Sequence, residues 1–249
     1  MSLSPARQHR LRVQAEQAAR QGGNVRHATG HDLMLMQLAE DRRRLKGIQS
    51  TVKKAQIKVE LLPRYSAWVE GVLAADGARQ DDVVMFVMLW RIDAGDYAGA
   101  LDAGRHALRH GWVMPIGNRN VQTVLAEEMA DAAQAALLAG ESFDAGLLLQ
   151  TLELTDGQDM PDQSRARLHK AIGAVLTETS PASALNHINH ALQLDPRCGV
   201  KKKNSSWSAD CAMTAVNGTC PAHGRHGVAK GFCHIKTPST AHYFRRKPA

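Results

Sequence analysis

The sequence predicts an all-α protein with a long basic N-terminal helix, an antiparallel helical body and an irregular C-terminal tail. Three observations support this prediction. Apolar residues recur at spacings of three and four from Leu45 to Leu62, which is typical of a helix. Glycines and prolines separate a series of helical segments between Asp81 and Pro196. No segment shows the apolar–polar alternation of a strand.

The N-terminal part of the chain predicts two helices. Ser4 is a good N-cap and Pro5 suits the first helical position, so the first helix is expected to begin there. Glycines within residues 22–30 interrupt the pattern. A second, long helix is expected from near Asp32 until Pro63 ends or kinks it.

The long helix carries an apolar seam, which we define by six residues at alternating spacings of three and four. They are Leu45, Ile48, Val52, Ala55, Val59 and Leu62. This spacing is that of a coiled coil, which would make the protein a homo-oligomer. The seam covers under three heptads, so an amphipathic helix lying on the body of its own chain is the alternative interpretation.

Charge is segregated along the chain. Residues 1–64 carry a net charge of +8, residues 65–200 carry −9 and residues 201–249 carry +8. A basic arm on an acidic body indicates a polyanionic partner for the arm, and a solvated helix face is the alternative. The residues expected to contact the polyanion are Arg7, Arg10, Arg12, Arg42, Arg43, Arg44, Lys46, Lys53, Lys54 and Lys58.

The acidic part of the chain is expected to contain six helices. They cover residues 81–93, 97–110, 120–139, 143–154, 161–178 and 181–194. Two pairs resemble tetratricopeptide (TPR) repeats, through the Gly-Asp-Tyr turn of "WRIDAGDYAGALDAGRHALRHG" and the ending of "SPASALNHINHALQLDP". Such repeats mainly form binding surfaces, and a plain helical bundle is the alternative.

These features divide the chain into three predicted segments. Residues 1–75 form the basic helical arm, residues 76–200 the acidic TPR-like body, and residues 201–249 the irregular basic tail.

Five segments within residues 4–202 resemble parts of one protein family and follow its order. They are "SPARQHRLRVQAEQA", "LAEDRRRLKGIQSTVKKAQIKVELLPRYSAWVEGVL", "DDVVMFVMLWRIDAGDYAGALDAGRHALRHG", "MPDQSRARLHKAIG" and "ALQLDPRCGVKK". Together they resemble the small terminase subunit family of temperate tailed phages, whose members are called terminase endonuclease subunits.

The resemblance implies a role in viral DNA packaging. It implies that the protein recognises the cohesive-end site of double-stranded phage DNA and works with a large ATPase subunit. It also implies a phage or prophage gene.

The chain has 11 aromatic residues, few of them near the basic arm, which favours contact with the duplex backbone over stacking on single strands. A protein–protein adaptor with TPR-like repeats and no DNA role is the alternative function.

The sequence shows no nuclease motif to match the endonuclease label. Cleavage by two metal ions needs clustered carboxylates, often with a lysine, but the chain has no Asp/Glu-x-Lys triplet. Its best acidic cluster, Asp156, Asp159 and Asp162, fits helix capping and turns at least as well. His187 and His190 are expected on the helix surface. No catalytic residue or metal ligand is therefore assigned, and no cofactor is expected unless nuclease activity requires a divalent ion such as Mg²⁺.

ATP hydrolysis, secretion and membrane insertion are also not expected. The chain lacks the phosphate-binding loop Gly-x-x-x-x-Gly-Lys-Ser/Thr. Its longest apolar run, Val83 to Trp90, is far too short to span a membrane, and its first residues do not form a secretory signal. The expected location is the cytoplasm of a bacterial host.

The tail region holds the four cysteines of the chain, at positions 198, 211, 220 and 233. Structural zinc sites usually bring their ligands in close pairs, so these wide spacings argue against one. A frameshift explains the tail better. Codons compatible with "KNSSWSAD", shifted by one base, can read Lys-Glu-Leu-Glu-Leu-Glu-Arg-Arg, a charged amphipathic helix. We therefore expect the tail to be frameshift-derived and disordered.

Overall fold

A computed structural model of the chain describes residues 4–20 and 28–199. Within these ranges the chain forms ten α-helices, a 3₁₀ turn at Leu62–Arg64 and no strand, which confirms the predicted all-α fold. The helices are α1 (Pro5–Arg20), α2 (Ala28–Lys46), α3 (Thr51–Leu61), α4 (Ser66–Ala75), α5 (Asp82–Asp93), α6 (Tyr97–Arg109), α7 (Val121–Leu138), α8 (Ala145–Thr155), α9 (Asp162–Val175) and α10 (Pro181–Leu194).

The first helix begins where the sequence predicts. The carbonyl of Ser4 accepts a hydrogen bond from the backbone N–H of Arg7 (3.0 Å), and Pro5 is the first helical residue. α1 packs along α4, a helix that the sequence analysis did not identify. At Gly71 of α4, an added Cβ would lie 2.4 Å from the carbonyl oxygen of Arg12. Glycine at this position therefore allows the backbones of the two helices to approach closely.

The prediction of one long helix in the arm is wrong, because two helices separated by the turn 47–50 occupy this range. Gly47 is a poor helix former. Ser50 then starts a new helix, since its side chain accepts a hydrogen bond from the backbone N–H of Lys53 (3.2 Å). The first of the two helices also begins four residues before the expected Asp32.

The six helices predicted for the acidic part are confirmed, with ends that differ from the predicted ones by at most three residues. The turn between α5 and α6 shows why the prediction succeeds. Gly95 adopts a φ of +83°, which favours glycine. Asp96 then caps α6 by accepting a hydrogen bond from the N–H of Gly99 (3.1 Å). The TPR-like character of these helices stays a prediction.

One buried carboxylate, Asp81, ties the arm to the body, and another, Asp41, joins two helices within the arm. Asp81, 5% exposed, accepts hydrogen bonds from the backbone N–H of Val83 (2.8 Å) and from Nε1 of Trp68 (2.9 Å), so it links α4 to the start of α5. Asp41 of α2 accepts a hydrogen bond from the hydroxyl of Tyr65 (2.6 Å). Burial, together with this carboxylate, raises the pKa of Tyr65 far above its ordinary value. These contacts hold α2 and α4 in fixed positions relative to α5.

A continuous apolar core joins the described helices of the arm to those of the body. It extends from Ala15 in α1 to Ile172 in α9, and α2 and α3 both contact α5. None of the described helices combines the length and the hydrophobicity needed to cross a membrane.

The tail, with Cys211, Cys220 and Cys233, lies outside the described residues, so the structure tests neither the frameshift nor the zinc interpretation of it. The predicted division into three segments stays a prediction.

Candidate nucleic-acid interface

An open groove of about 610 Å³ lies between α2, α3 and α5, and we call it the cationic groove. Five of the ten residues predicted to contact a polyanion line it: Arg42, Arg43, Lys46, Lys54 and Lys58. Those on α2 lie within one turn of each other, and the two on α3 are four residues apart, so each set projects from one helix face. Positively charged side chains from α2 and α3 therefore line the same groove.

Most of the positive charge in the cationic groove is not neutralised. Arg43 forms an ion pair with Glu40, and Lys58 forms one with Asp93 at the edge of α5. Within residues 4–20 and 28–199, the other three cations form no ion pair with a carboxylate. They remain free to bind an external anion.

Part of the lining of the cationic groove is apolar and aromatic. It consists of Phe86, Leu89 and Trp90 of α5 together with Ile116. The guanidinium carbon of Arg42 lies 3.9 Å from the centre of the Phe86 ring. This cation–π contact orients the arginine without neutralising its charge.

The buried face of α2 explains why its arginines point outward. Met34, Leu38, Asp41 and Leu45, at spacings of four, three and four, are between 2% and 6% exposed. Residues at these spacings occupy one side of a helix. The cationic residues 42–44 and Lys46 fall outside this stripe and are exposed.

A second groove, of about 780 Å³, lies between α1 and α2. Arg7 and Arg10, two more of the predicted contacts, line it together with Arg64. Arg64 also lies 3.6 Å from the buried carboxylate of Asp41. The structure thus separates the α1 arginines from the cationic groove.

The remaining three predicted contacts belong to neither groove. Arg12 forms an ion pair with Glu70 and links α1 to α4. Arg44 and Lys53 are exposed to solvent outside both grooves. The ten residues therefore do not form a single site.

The predicted seam does not lie on one helix. Leu45, in α2, is 6% exposed and belongs to the core. Ile48 lies in the turn 47–50 and Leu62 in the 3₁₀ turn, and both pack against the core while partly exposed. Both ends of the seam therefore pack against the core of their own chain, as the alternative interpretation of an amphipathic helix lying on its own chain expects.

The middle of the seam faces solvent. Val52 and Val59 are 68% and 52% exposed, and Ala55 between them is half-buried. α3 instead turns Ile57 and Leu61 toward the core. A short apolar strip therefore remains open on the outer face of α3.

The three aspartates of the acidic cluster predicted from the sequence lie at helix ends and in the loop between α8 and α9. Asp156 follows the last residue of α8 as its C-cap, and Asp162 is the first residue of α9. The carbonyl of Asp159 accepts a hydrogen bond from the side chain of Gln122 (2.8 Å). Across the described parts of the chain, these three carboxylates do not converge into a metal-binding group.

A different cluster, Asp76 with His106 and His110, was missed by the sequence analysis. One ligand atom from each residue lies within 4.8 Å of the other two. The hydrogen bond with His110 lowers the pKa of Asp76, and burial lowers the pKa of His106. Among the residues that the structure describes, the Nε2 atom of His106 is buried without a hydrogen-bond partner, which costs about 1–3 kcal/mol for an ordinary buried polar atom. The spacing of four between the histidines was the signal available in the sequence.

A third group contains His169, His187 and His190. His187 is half-buried against α9, so the expectation of a surface residue holds only for His190, which is exposed. The Nδ1 atoms of His169 and His187 lie 2.9 Å apart, and the rings of His169 and His190 are 4.4 Å apart. Burial, with the charges of the neighbouring histidines, lowers the pKa of His169 to about 4.

The fold and the cationic groove define a class of protein: an all-α protein with a surface suited to a polyanion. The chain belongs to the phage small terminase subunit family, whose sequence model matches residues 35–163. The matched range includes every residue that lines the cationic groove. The resemblance found in the sequence is thereby confirmed, and a role in phage DNA packaging follows from family membership.

One relative supports the same assignment. The chain is 49% identical over 203 residues to "Terminase, endonuclease subunit" of Escherichia phage P2, an overlap that covers 80% of this chain and 82% of the relative. No solved structure is significantly similar to the chain.

Proposed function

We propose that this protein binds duplex DNA at the cohesive-end site through the cationic groove and assembles with the large ATPase subunit for genome cutting and packaging. The observation that carries this proposal is the convergence of five cations in one groove, three of which have no carboxylate partner in the part of the chain that the structure describes. Positive charge that the protein does not neutralise itself is available for phosphates.

The size of the groove indicates how DNA is held. A volume of about 610 Å³ is far smaller than a duplex, so the groove can accept only part of the DNA backbone. Lysine and arginine side chains bind phosphates irrespective of base identity. We therefore assign the cationic groove to backbone contact, which positions the protein on DNA, and we assign no base-reading residue.

Cutting is expected to depend on the large subunit. The chain has no Asp/Glu-x-Lys triplet and no phosphate-binding loop for ATP. The small subunit would then deliver the DNA site to a partner that supplies ATP hydrolysis. A cleavage assay on cohesive-end DNA, with and without the large subunit, tests this division of labour.

Homo-oligomer formation is proposed through the outer face of α3. Val52 and Val59 lie seven residues apart and are largely exposed, so a second copy could cover both at once. Burying such a side chain fully contributes about 1.5–3 kcal/mol. The strip is short, and assembly would need further contacts beside it.

DNA binding is tested with a variant in which Lys46 and Lys54, two groove cations that form no ion pair in the described parts of the chain, are replaced by neutral residues. Lys46→Gln with Lys54→Gln removes two charges from the cationic groove. Arg105→Gln with Arg167→Gln is the matched control, because it removes two charges from body side chains that are 45% and 47% exposed. We expect the groove variant to bind cohesive-end duplex more weakly in fluorescence anisotropy, and the control variant to bind like the unmodified protein.

The basic tail confounds this test, so each protein is also measured as a chain ended after residue 200. If the shortened chain no longer binds DNA, the tail is the contact and the groove is not. If the shortened chain binds DNA and both variants bind equally well, the groove assignment is wrong. If no form of the protein binds DNA, the adaptor without a DNA role becomes the better account.

A further inference from the structure

We propose that Asp76, His106 and His110 form a binding site for a zinc ion, which joins the end of α4 to α6. This site lies away from the cationic groove and does not depend on the DNA-binding proposal. Two imidazoles and a carboxylate are ligands that zinc accepts, with a fourth position left for water.

The backbone brings the three side chains together. His106 lies in the last turn of α6 and His110 follows the helix as its C-cap, four residues later, so both lie on the same side of the helix end. Asp76 directly follows α4 as its C-cap and adopts a left-handed conformation with φ of +48°. It is the one non-glycine residue with positive φ in the described parts of the chain. This conformation directs the Asp76 carboxylate toward α6.

Two of the three distances between ligand atoms are close to those that a tetrahedral ion requires. Oδ1 of Asp76 lies 3.0 Å from Nε2 of His110 and 3.6 Å from Nδ1 of His106. Zinc–nitrogen bonds of about 2.0–2.1 Å at a tetrahedral angle place two ligand atoms about 3.3 Å apart. Movements of a few tenths of an ångström therefore convert these two contacts into zinc coordination.

The surroundings favour a bound ion at His106. Its side chain is 5% exposed, and its ring packs edge-on against Trp112 with centroids 4.8 Å apart. Its Nε2 atom is buried and meets no hydrogen-bond partner in the described parts of the chain. The ring nitrogen that faces Asp76 is instead Nδ1, which at 3.6 Å from Oδ1 is too far for a hydrogen bond to this carboxylate and is the atom offered to the ion.

One cation faces the cluster and competes for the carboxylate. The Arg109 side chain lies 3.0 Å from Oδ1 of Asp76. It is 58% exposed, so it can move away or bind the second carboxylate oxygen without disturbing the core. A bound zinc ion would take Oδ1 and leave Arg109 at the rim.

The test measures zinc binding by the full chain with its cysteines alkylated, so that the thiols of the tail cannot contribute. Isothermal titration with Zn²⁺ is compared among the unmodified protein, Asp76→Asn and His110→Gln. Asn tolerates the left-handed conformation, so the first variant keeps the backbone of the turn. His187→Gln, in the separate histidine group on α10, is the matched control.

We expect the unmodified protein and the control to bind one zinc ion at this site and to unfold at a higher temperature when zinc is present. Asp76→Asn and His110→Gln should weaken this binding at least about tenfold and abolish the thermal shift. Cobalt bound in place of zinc should show the visible spectrum of a tetrahedral site. Absence of zinc binding, or equal binding by all four proteins, would overturn the proposal.

Discussion

Removing the carboxylate of Asp81 tests how the arm is held on the body. Asp81→Ala deletes the N-cap of α5, which accepts hydrogen bonds from the N–H groups of Val83 (2.8 Å) and Val84 (3.2 Å). It also leaves Nε1 of the fully buried Trp68 without its acceptor. Loss of the cap costs about 1 kcal/mol, and the unsatisfied indole N–H about 1–3 kcal/mol more. We therefore expect the free energy of unfolding to fall by about 2–4 kcal/mol.

Urea unfolding followed by circular dichroism measures this loss, and Asp144→Ala is the matched control. Asp144 caps α8 through one hydrogen bond to the N–H of Gly146 (2.8 Å) and is exposed, so its loss should cost only about 1 kcal/mol. Asp81→Asn should give an intermediate value, because asparagine still caps the helix but presents an amide to the indole. If Asp81→Ala costs no more than Asp144→Ala, the link between Trp68 and α5 does not stabilise the protein.

Three further predictions concern assembly, pH and cleavage. Val52→Asp with Val59→Asp should reduce the mass measured by light scattering to that of a monomer while helicity is kept, and an unchanged mass would exclude this face from assembly. The free energy of unfolding should decrease as pH falls from about 6.5 toward 4, because the pKa of His169 is about 4 in the folded protein and 6.5 in an ordinary histidine. His169→Gln should flatten this decrease, and an identical pH profile would contradict it. The purified protein with Mg²⁺ should not cut cohesive-end DNA rapidly without the large subunit, and rapid cutting would reveal an unrecognised nuclease site.

The helices of the body could be predicted because their ends are determined locally. Gly95 and Asp96, for example, end one helix and cap the next within three residues. The break between α2 and α3 could not be predicted from apolar spacing, because Leu45, Ile48 and Val52 keep helical spacing across it. Gly47 and Ser50 were the local signals of that break, and the regular spacing outweighed them.

The cationic groove could be predicted only in part. Its charges were visible as a basic segment, but sequence spacing does not show which of them share a surface. Arg42 meets Phe86, 44 residues later, and Lys58 meets Asp93, 35 residues later. Asp76 likewise approaches His106 only after α4 packs near α6. Contacts of this kind depend on tertiary packing. Periodicity and capping signals in the sequence report only local structure, so they do not predict such contacts.

The salt dependence of DNA binding tests the central claim most directly. Each phosphate contact contributes about 0.9 to the slope of log K against log salt concentration on duplex DNA. In a chain ended after residue 200, Lys46→Gln with Lys54→Gln should therefore reduce the slope by about 1.8. Arg105→Gln with Arg167→Gln should leave the slope unchanged. Equal slopes for the groove variant and the unmodified chain would show that the cationic groove does not hold the DNA backbone.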